Sequence, residues 1–168
     1  MVRSQLLKKN FLQTIKSKTV LFIVVCVFCM QTAKIHTDES YVQSFPEILI
    51  IAGALDYLGT PYVYGGTTKA GIDCSGFLYA VYKPFLENVP RISKDWMLHG
   101  VTIQEDFHPA DILLFADHGV IFHVAIYIGD NFFIHAASQG PKTGVIISSL
   151  DESYWKGYFY TARRIWNE

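Results

Sequence analysis

Residues 59–77, GTPYVYGGTTKAGIDCSGF, set a glycine-broken loop directly against a segment of helical apolar spacing, and the junction falls at Cys74. Thr60-Pro61-Tyr62 and Gly65-Gly66 do not continue a helix, so residues 61–72 are expected as a structured loop displaying Tyr62 and Tyr64. Beyond it Phe77, Leu78, Val81, Tyr82 and Phe85 recur at three- and four-residue steps. That spacing predicts a helix starting near Asp73 with one buried face, weakening near Pro84. Cys74 then occupies the first turn, where unpaired N–H groups and the positive helix end favour a thiolate, with Asp73 as N-cap. An activated nucleophile is one reading of such a cysteine; a small core hydrophobe is the other. The rest of the chain decides between them.

Upstream, Ser44-Phe45-Pro46-Glu47 has the form of a capping box with an early-turn proline. Ile48, Ile51, Ala52, Leu55 and Leu58 follow at helical spacing, and Gly59 is the expected stop. Before this helix, residues 34–43 read as a polar connector. Residues 1–33 read as an export signal or lipoprotein-type anchor: five basic and no acidic residues over residues 1–18, then an uncharged apolar run over residues 19–30. A dozen residues cover about 18 Å of a hydrocarbon core near 30 Å, too little to span it. Cleavage after Ala33 or lipidation at Cys29 or Cys26 are the two forms of this expectation, which makes the chain an exported one with membrane contact only through that anchor.

Cleavage after Ala33 removes five of the 14 Lys and Arg against 15 Asp and Glu, leaving a net charge of about −6, which argues against a nucleic-acid partner. It also leaves Cys74 as a lone thiol in an oxidising compartment, a liability unless the thiol has a task. The sequence sets no oligomeric state.

From Asp111 the texture changes to short β-rich runs at residues 111–116, 120–129, 132–137, 144–148 and 157–165, bounded by Gly, Asp, Asn and Pro. These suggest an antiparallel meander, and helices followed by strands make an α+β domain over residues 44–168. Alternation puts His123, Ala125 and Tyr127 on one face and Val124, Ile126 and Ile128 on the other. If the hairpin loop is the three residues Gly129, Asp130 and Asn131, Ala125 faces His135, and His123 and His135 share a face about 7–8 Å apart at Cα. A two-residue loop would separate them.

Cysteine attack on a carbonyl needs a base for the thiol proton and a third group to orient that base, and Cys74, His123 and His135 can fill those roles. The same trio could be three of four zinc ligands, but no further Cys or His has metal-ligand spacing near them, so neither metal nor organic cofactor is expected. His36, His99, His108 and His118 read as solvated.

The strings GTPYVYGG, IDCSGF, PRISKDW, PADILLF and HVAIYIGDNFFIHAAS, then YW and ARRI, are similar in order and content to the NlpC-type cell-wall cysteine peptidases over residues 48–165. The resemblance implies a minimal papain-like α+β fold, N-terminal helices packed on an antiparallel sheet, and cleavage of the peptidoglycan stem peptide. It implies Cys74 as nucleophile, His123 as general base and then acid, and His135 as its orienting group. Tyr62 matches a tyrosine that binds substrate or oxyanion, and Asp73 and Ser75 match positions that hold the stem peptide. Tyr64, Ala110, Asp95 and Trp96 depart from the family pattern, the last two on one wall of the cleft.

The bond cut is expected to be γ-D-glutamyl-diaminopimelate or D-alanyl-diaminopimelate, with family habit favouring the first. The short connector implies a cleft open at that end. A catalytically silent wall-binding module and an acyltransferase on the same frame are the alternatives.

Overall fold

The computed structural model describes residues 45–140 and 142–166, so the expected signal or anchor at residues 1–33 and the connector at residues 34–43 lie outside the described residues. Helix α1, Phe45–Leu55, opens the domain, and Gly59 lies just beyond it in the left-handed region. Its buried side is Ile50 and Ala54, both fully covered, with Ile51 and Tyr57 partly so.

The expected face of Ile48, Ile51, Ala52, Leu55 and Leu58 is therefore rotated: Ile48 is 57% and Leu58 45% exposed. The segment FPEILIIAGAL is apolar nearly all round, and such a helix carries no stripe from which its phase can be read. Packing on the next helix sets the phase instead, with Tyr57 meeting Phe77 edge-on at 5.9 Å.

The loop after α1 contains a small hairpin, β1 (Thr67–Thr68) with β2 (Gly71–Ile72), and Tyr62 bridges to Ile72 alongside it. Helix α2, Cys74–Tyr82, follows, its N-cap Asp73 accepting from the Gly76 N–H. Phe77, Leu78, Val81 and Tyr82 are buried as the spacing predicts, and the helix ends before Pro84. Gly76 is required by close approach, because a Cβ there would run into the Gly66 carbonyl. The glycine pair thus clamps the loop onto the start of α2.

A 3-10 helix, Ser93–Leu98, and a short strand β3, Val101–Ile103, occupy a stretch that the sequence leaves unassigned. The strands that follow are β4 (Ile112–Asp117), β5 (Val120–Gly129), β6 (Phe132–Ala137), β7 (Gly144–Ser149) and β8 (Phe159–Arg164), with a six-residue helix α3 (Ser153–Tyr158) before the last. They form one antiparallel sheet of order β3-β8-β4-β5-β6-β7.

Only β4 to β7 is the expected meander; β8 crosses back to pair with β4 instead of extending it. That return covers an edge of β4 that would otherwise expose unpaired backbone groups. Arg164 on β8 then locks the far side, bonding both Asp111 carboxylate oxygens at 2.9 and 2.8 Å.

Each face of the sheet carries its own core. Ile112, Leu114, Val124, Ile126, Ile134, Ala136 and Val145 face α1 and α2. Leu113, Phe115, Ala125, Tyr127, Phe133 and Ala162 face the other way, under Phe107, Trp155, Tyr158 and Phe159.

The β5–β6 hairpin reaches the expected register by an unexpected route. Asp130 and Asn131, at φ +48° and +63°, form a two-residue turn closed by Gly129 opposite Phe132. A register shift between Tyr127 and Gly129 follows, so Ile128 is bulged and the pairing resumes as Tyr127 opposite Phe133 and Ile126 opposite Ile134. Continued by one residue, that register sets Ala125 against His135. The bulge restores the parity that the short turn alone would have reversed.

Candidate active site

Cys74 is 8% exposed at the start of α2, within a cluster that its neighbours organise. Asp73 accepts from the N–H of Gly76 at 2.6 Å and of Gly65 at 2.7 Å, and both Arg91 Nη atoms reach its two oxygens at 3.0 Å. Burial alone would raise the Asp73 carboxyl; the hydrogen bonds from Arg91, Gly76 and Gly65 outweigh it and hold the carboxyl below its ordinary range. Arg91 also donates to Ser75 Oγ at 3.0 Å and toward the Gly66 carbonyl.

Asp73 and Ser75, at 6% and 5% exposure, therefore have their polar atoms engaged inside the loop–helix joint. The resemblance points both at the substrate. Here the Arg91 guanidinium, with about a third of its side chain exposed, is the group of this cluster that reaches solvent.

The thiol is not the resting thiolate that its helix position suggests. Burial pushes the Cys74 thiol above its ordinary value, Asp73 adds to the rise, and the Ser93 hydroxyl with the N–H groups of Val124 and Ser75 only partly offsets it. Desolvation in this joint outweighs the helix end. Sγ lies 3.5 Å from Ser93 Oγ, and the N–H that acts on it from β5 belongs to Val124, the residue beside His123. Among the described residues its hydrogen bonds run to these groups and not to His123.

On the opposite face of β5, His123 Nε2 and His135 Nδ1 lie 2.9 Å apart, and His135 Nε2 lies 3.1 Å from Ser148 Oγ on β7. The pair packs against Phe115, Phe133 and Trp155. Burial lowers His123 to about 3. Burial and the neighbouring His123 lower His135 to about 2, so both rings are neutral at pH 7.

β5 enters this region through a bulge between its residues Ile121 and His123, which re-aims the strand near the thiol. Tyr62, half-buried, hydrogen-bonds Ser138; burial first, then the charges of Cys74, Asp73 and Tyr64, keep its hydroxyl protonated.

Sequence reasoning missed four contributors. Arg91 and Ser93 lie in the string PRISKDW, of which the sequence singles out only Asp95 and Trp96. Ser138 and Ser148 sit at strand ends, where a serine reads as punctuation.

A helix that presents a cysteine at its N-terminus to an antiparallel sheet bearing a coupled histidine pair defines the papain-like class of cysteine peptidases. Within that class, the NlpC/P60 family model matches residues 59–164, and the chain belongs to the NlpC/P60 family. It is similar to the "Probable endopeptidase NlpC" of Escherichia coli K12, 41% identical over 128 residues, which covers 70% of this chain and 80% of that protein. It is also similar to the "Murein DD-endopeptidase MepS/Murein LD-carboxypeptidase" of the same strain, 39% identical over 112 residues, covering 66% of this chain but 58% of that relative's length. A solved NlpC/P60 family protein from Bacillus cereus superposes with a TM-score of 0.65 at 32% identity, covering 71% of this chain and 40% of that one.

Proposed function

We propose that this domain is a cell-envelope endopeptidase that hydrolyses a peptide bond of the peptidoglycan stem through Cys74, His123 and His135. The observation that carries the reading is the His123 Nε2···His135 Nδ1 contact of 2.9 Å on β5, the strand whose next residue, Val124, acts through its N–H to lower the pKa of the Cys74 thiol. For His123 to accept a proton at Nδ1, its own proton must sit on Nε2 and be donated to His135 Nδ1. His135 then carries its proton on Nε2 and donates to Ser148 Oγ. One tautomer of the base is thereby selected by a chain of two hydrogen bonds.

The resting state on this reading is a neutral thiol beside a neutral imidazole. As Sγ attacks the scissile carbonyl carbon, the thiol proton passes to His123 Nδ1, and the negative oxygen is met by N–H groups at the start of α2 and the Tyr62 hydroxyl. The imidazolium returns its proton to the departing amine, leaving a thioester. Water, deprotonated by His123, attacks the thioester carbonyl; the C–Sγ bond breaks, and the imidazolium returns the proton to the departing Cys74 sulfur.

Similarity to a protein named as a murein DD-endopeptidase, at 39% identity, supports the D-alanyl cross-link, while similarity at 34% to one named as a γ-D-glutamyl-L-lysine dipeptidyl-peptidase supports the γ-D-glutamyl link; the D-alanyl cross-link is the reading put to the test. The test is incubation of the purified chain with defined muropeptides, monomeric and cross-linked, followed by weighing of the products. Cross-linked dimers falling to monomers, and no cleavage by Cys74→Ala, is the expected result. Cleavage of monomeric stems at the γ-D-glutamyl bond alone would reassign the bond, and binding without cleavage would reduce the domain to a wall-peptide adaptor.

A further inference from the structure

The dipeptide Tyr154-Trp155 belongs to the motif string of this chain, yet the chemistry above gives it no task. Trp155 comes from α3, a six-residue helix with no fully buried side chain, set between β7 and β8. Its indole lies 5.1 Å from the His123 ring centroid at a tilt of 32°, so it offers that imidazole its face. It lies 4.8 Å from the His135 ring at 79°, an edge contact. One side chain thus touches both members of the hydrogen-bonded pair. It also packs on Phe115 at 4.9 Å and Phe133 at 5.4 Å, which hold the rings from beneath.

The charge that His123 acquires in each cycle has few partners here. From β4 it meets Phe115, from β6 His135, from its own strand Phe122, and from α3 Trp155. Through His135 it reaches Ser148 of β7, and Cys74 of α2 approaches across the Val124 backbone. The titratable groups among these are His135 and Cys74, and none is a carboxylate. An indole face within about 6 Å of a cation is attractive, and more so where water is excluded.

We propose that Trp155 is a positioning residue for the histidine pair, holding both imidazoles in their hydrogen-bonded arrangement and stabilising, through its π face, the positive charge that His123 takes up in turnover. The inference rests on the reading of His123 as the base.

The test uses the full chain with Trp155→Leu and Trp155→Phe, assayed for kcat, KM and melting temperature, and observed by 15N resonance of the histidine rings. Trp155→Leu should lower kcat about tenfold with KM within about twofold, while Phe recovers most of that loss. In the Leu variant the ring protons of the His123–His135 bond should exchange faster with solvent. A folded Trp155→Leu with wild-type kcat and unchanged ring resonances would overturn the inference. So would Phe and Leu variants that lose activity equally and in step with melting temperature, which is the signature of packing alone.

Should the Leu variant fail to fold, stepwise fluorination of the indole at position 155 keeps its shape while weakening the π face. A progressive fall in kcat is expected, and a flat series would overturn the inference. Hydrolysis surviving in Cys74→Ala or His123→Ala would bring down the proposed chemistry. Those two inactive, with Trp155→Leu at full rate, would bring down only the role of Trp155.

Discussion

The two faces of the central sheet are covered in opposite ways. One lies beneath α1 and α2, whose Ile50, Phe77, Leu78 and Tyr82 are wholly buried on it, and among the described residues clustered there none is a histidine. The other is roofed by α3 and Phe107, a thin cover of half-buried rings, and it carries the histidine pair. The thick face fixes where Cys74 stands, because the helix that bears it is packed along its length. The thin face fixes how His123 is turned. Rigidity and the proposed proton chemistry thus fall on different sides of one sheet, and the sides meet at the backbone of Val124.

The largest expected break in this division is at the junction itself. Cys74→Ala and His123→Ala should each lower hydrolysis of muropeptides by at least about 10³-fold with little change in melting temperature. A variant of either residue that unfolds would mean the chemistry is not separable from the packing.

Next in size, Ile50→Ala on the thick face should cost about 2–5 kcal/mol of stability by urea unfolding, while Ile48→Ala on the same helix should stay within about 0.5 kcal/mol. Equal losses would show that the phase of α1 is not the one described.

Asp73→Asn comes third. It removes the charge that Arg91 faces, and about 2–3 kcal/mol is expected, below a fully buried pair because Arg91 keeps about a third of its side chain in water. Differential scanning calorimetry at two salt concentrations would measure it.

A fourth way to test the division is a pH slope from the thin face. Both histidines titrate in the fold below their ordinary value of 6.5, at about 3 and about 2. The unfolded chain therefore binds these protons first. Their contribution is complete above pH 6.5 and declines as pH falls toward 3. His135→Asn should flatten part of that slope in urea midpoints taken between pH 7 and 4, and should reduce activity less than His123→Ala, since an amide still accepts the imidazole hydrogen bond.

Much of this division was legible in the sequence. Alternation through HVAIYIG assigned each residue of β5 to its face, because a period of two is unambiguous where both faces are buried. The strand limits followed from Gly, Asp and Asn at the turns. The phase of α1 was not legible, since a helix apolar all round is oriented by its neighbour and not by its own pattern.

The state of the thiol was misread for a related reason. The helix end is a local property visible in DCSG, whereas the desolvation that opposes it comes from β5 and Ser93, distant in sequence. Arg91 was invisible on the same ground: its partner Asp73 lies 18 residues away. How much of the chemistry follows the motifs alone is what the variants above decide.

The bulge at Ile128 makes the length of the β5–β6 hairpin a matter of inheritance as well as geometry. An insertion or deletion of one residue near Gly129-Asp130-Asn131 lies at an exposed loop tip, where length changes are ordinarily harmless to folding. Here it would send His135 to the helix side of the sheet and leave His123 without its partner. Descendants of this gene can therefore vary the letters of that turn but can change its length only in twos, or by gaining and losing the bulge in the same step.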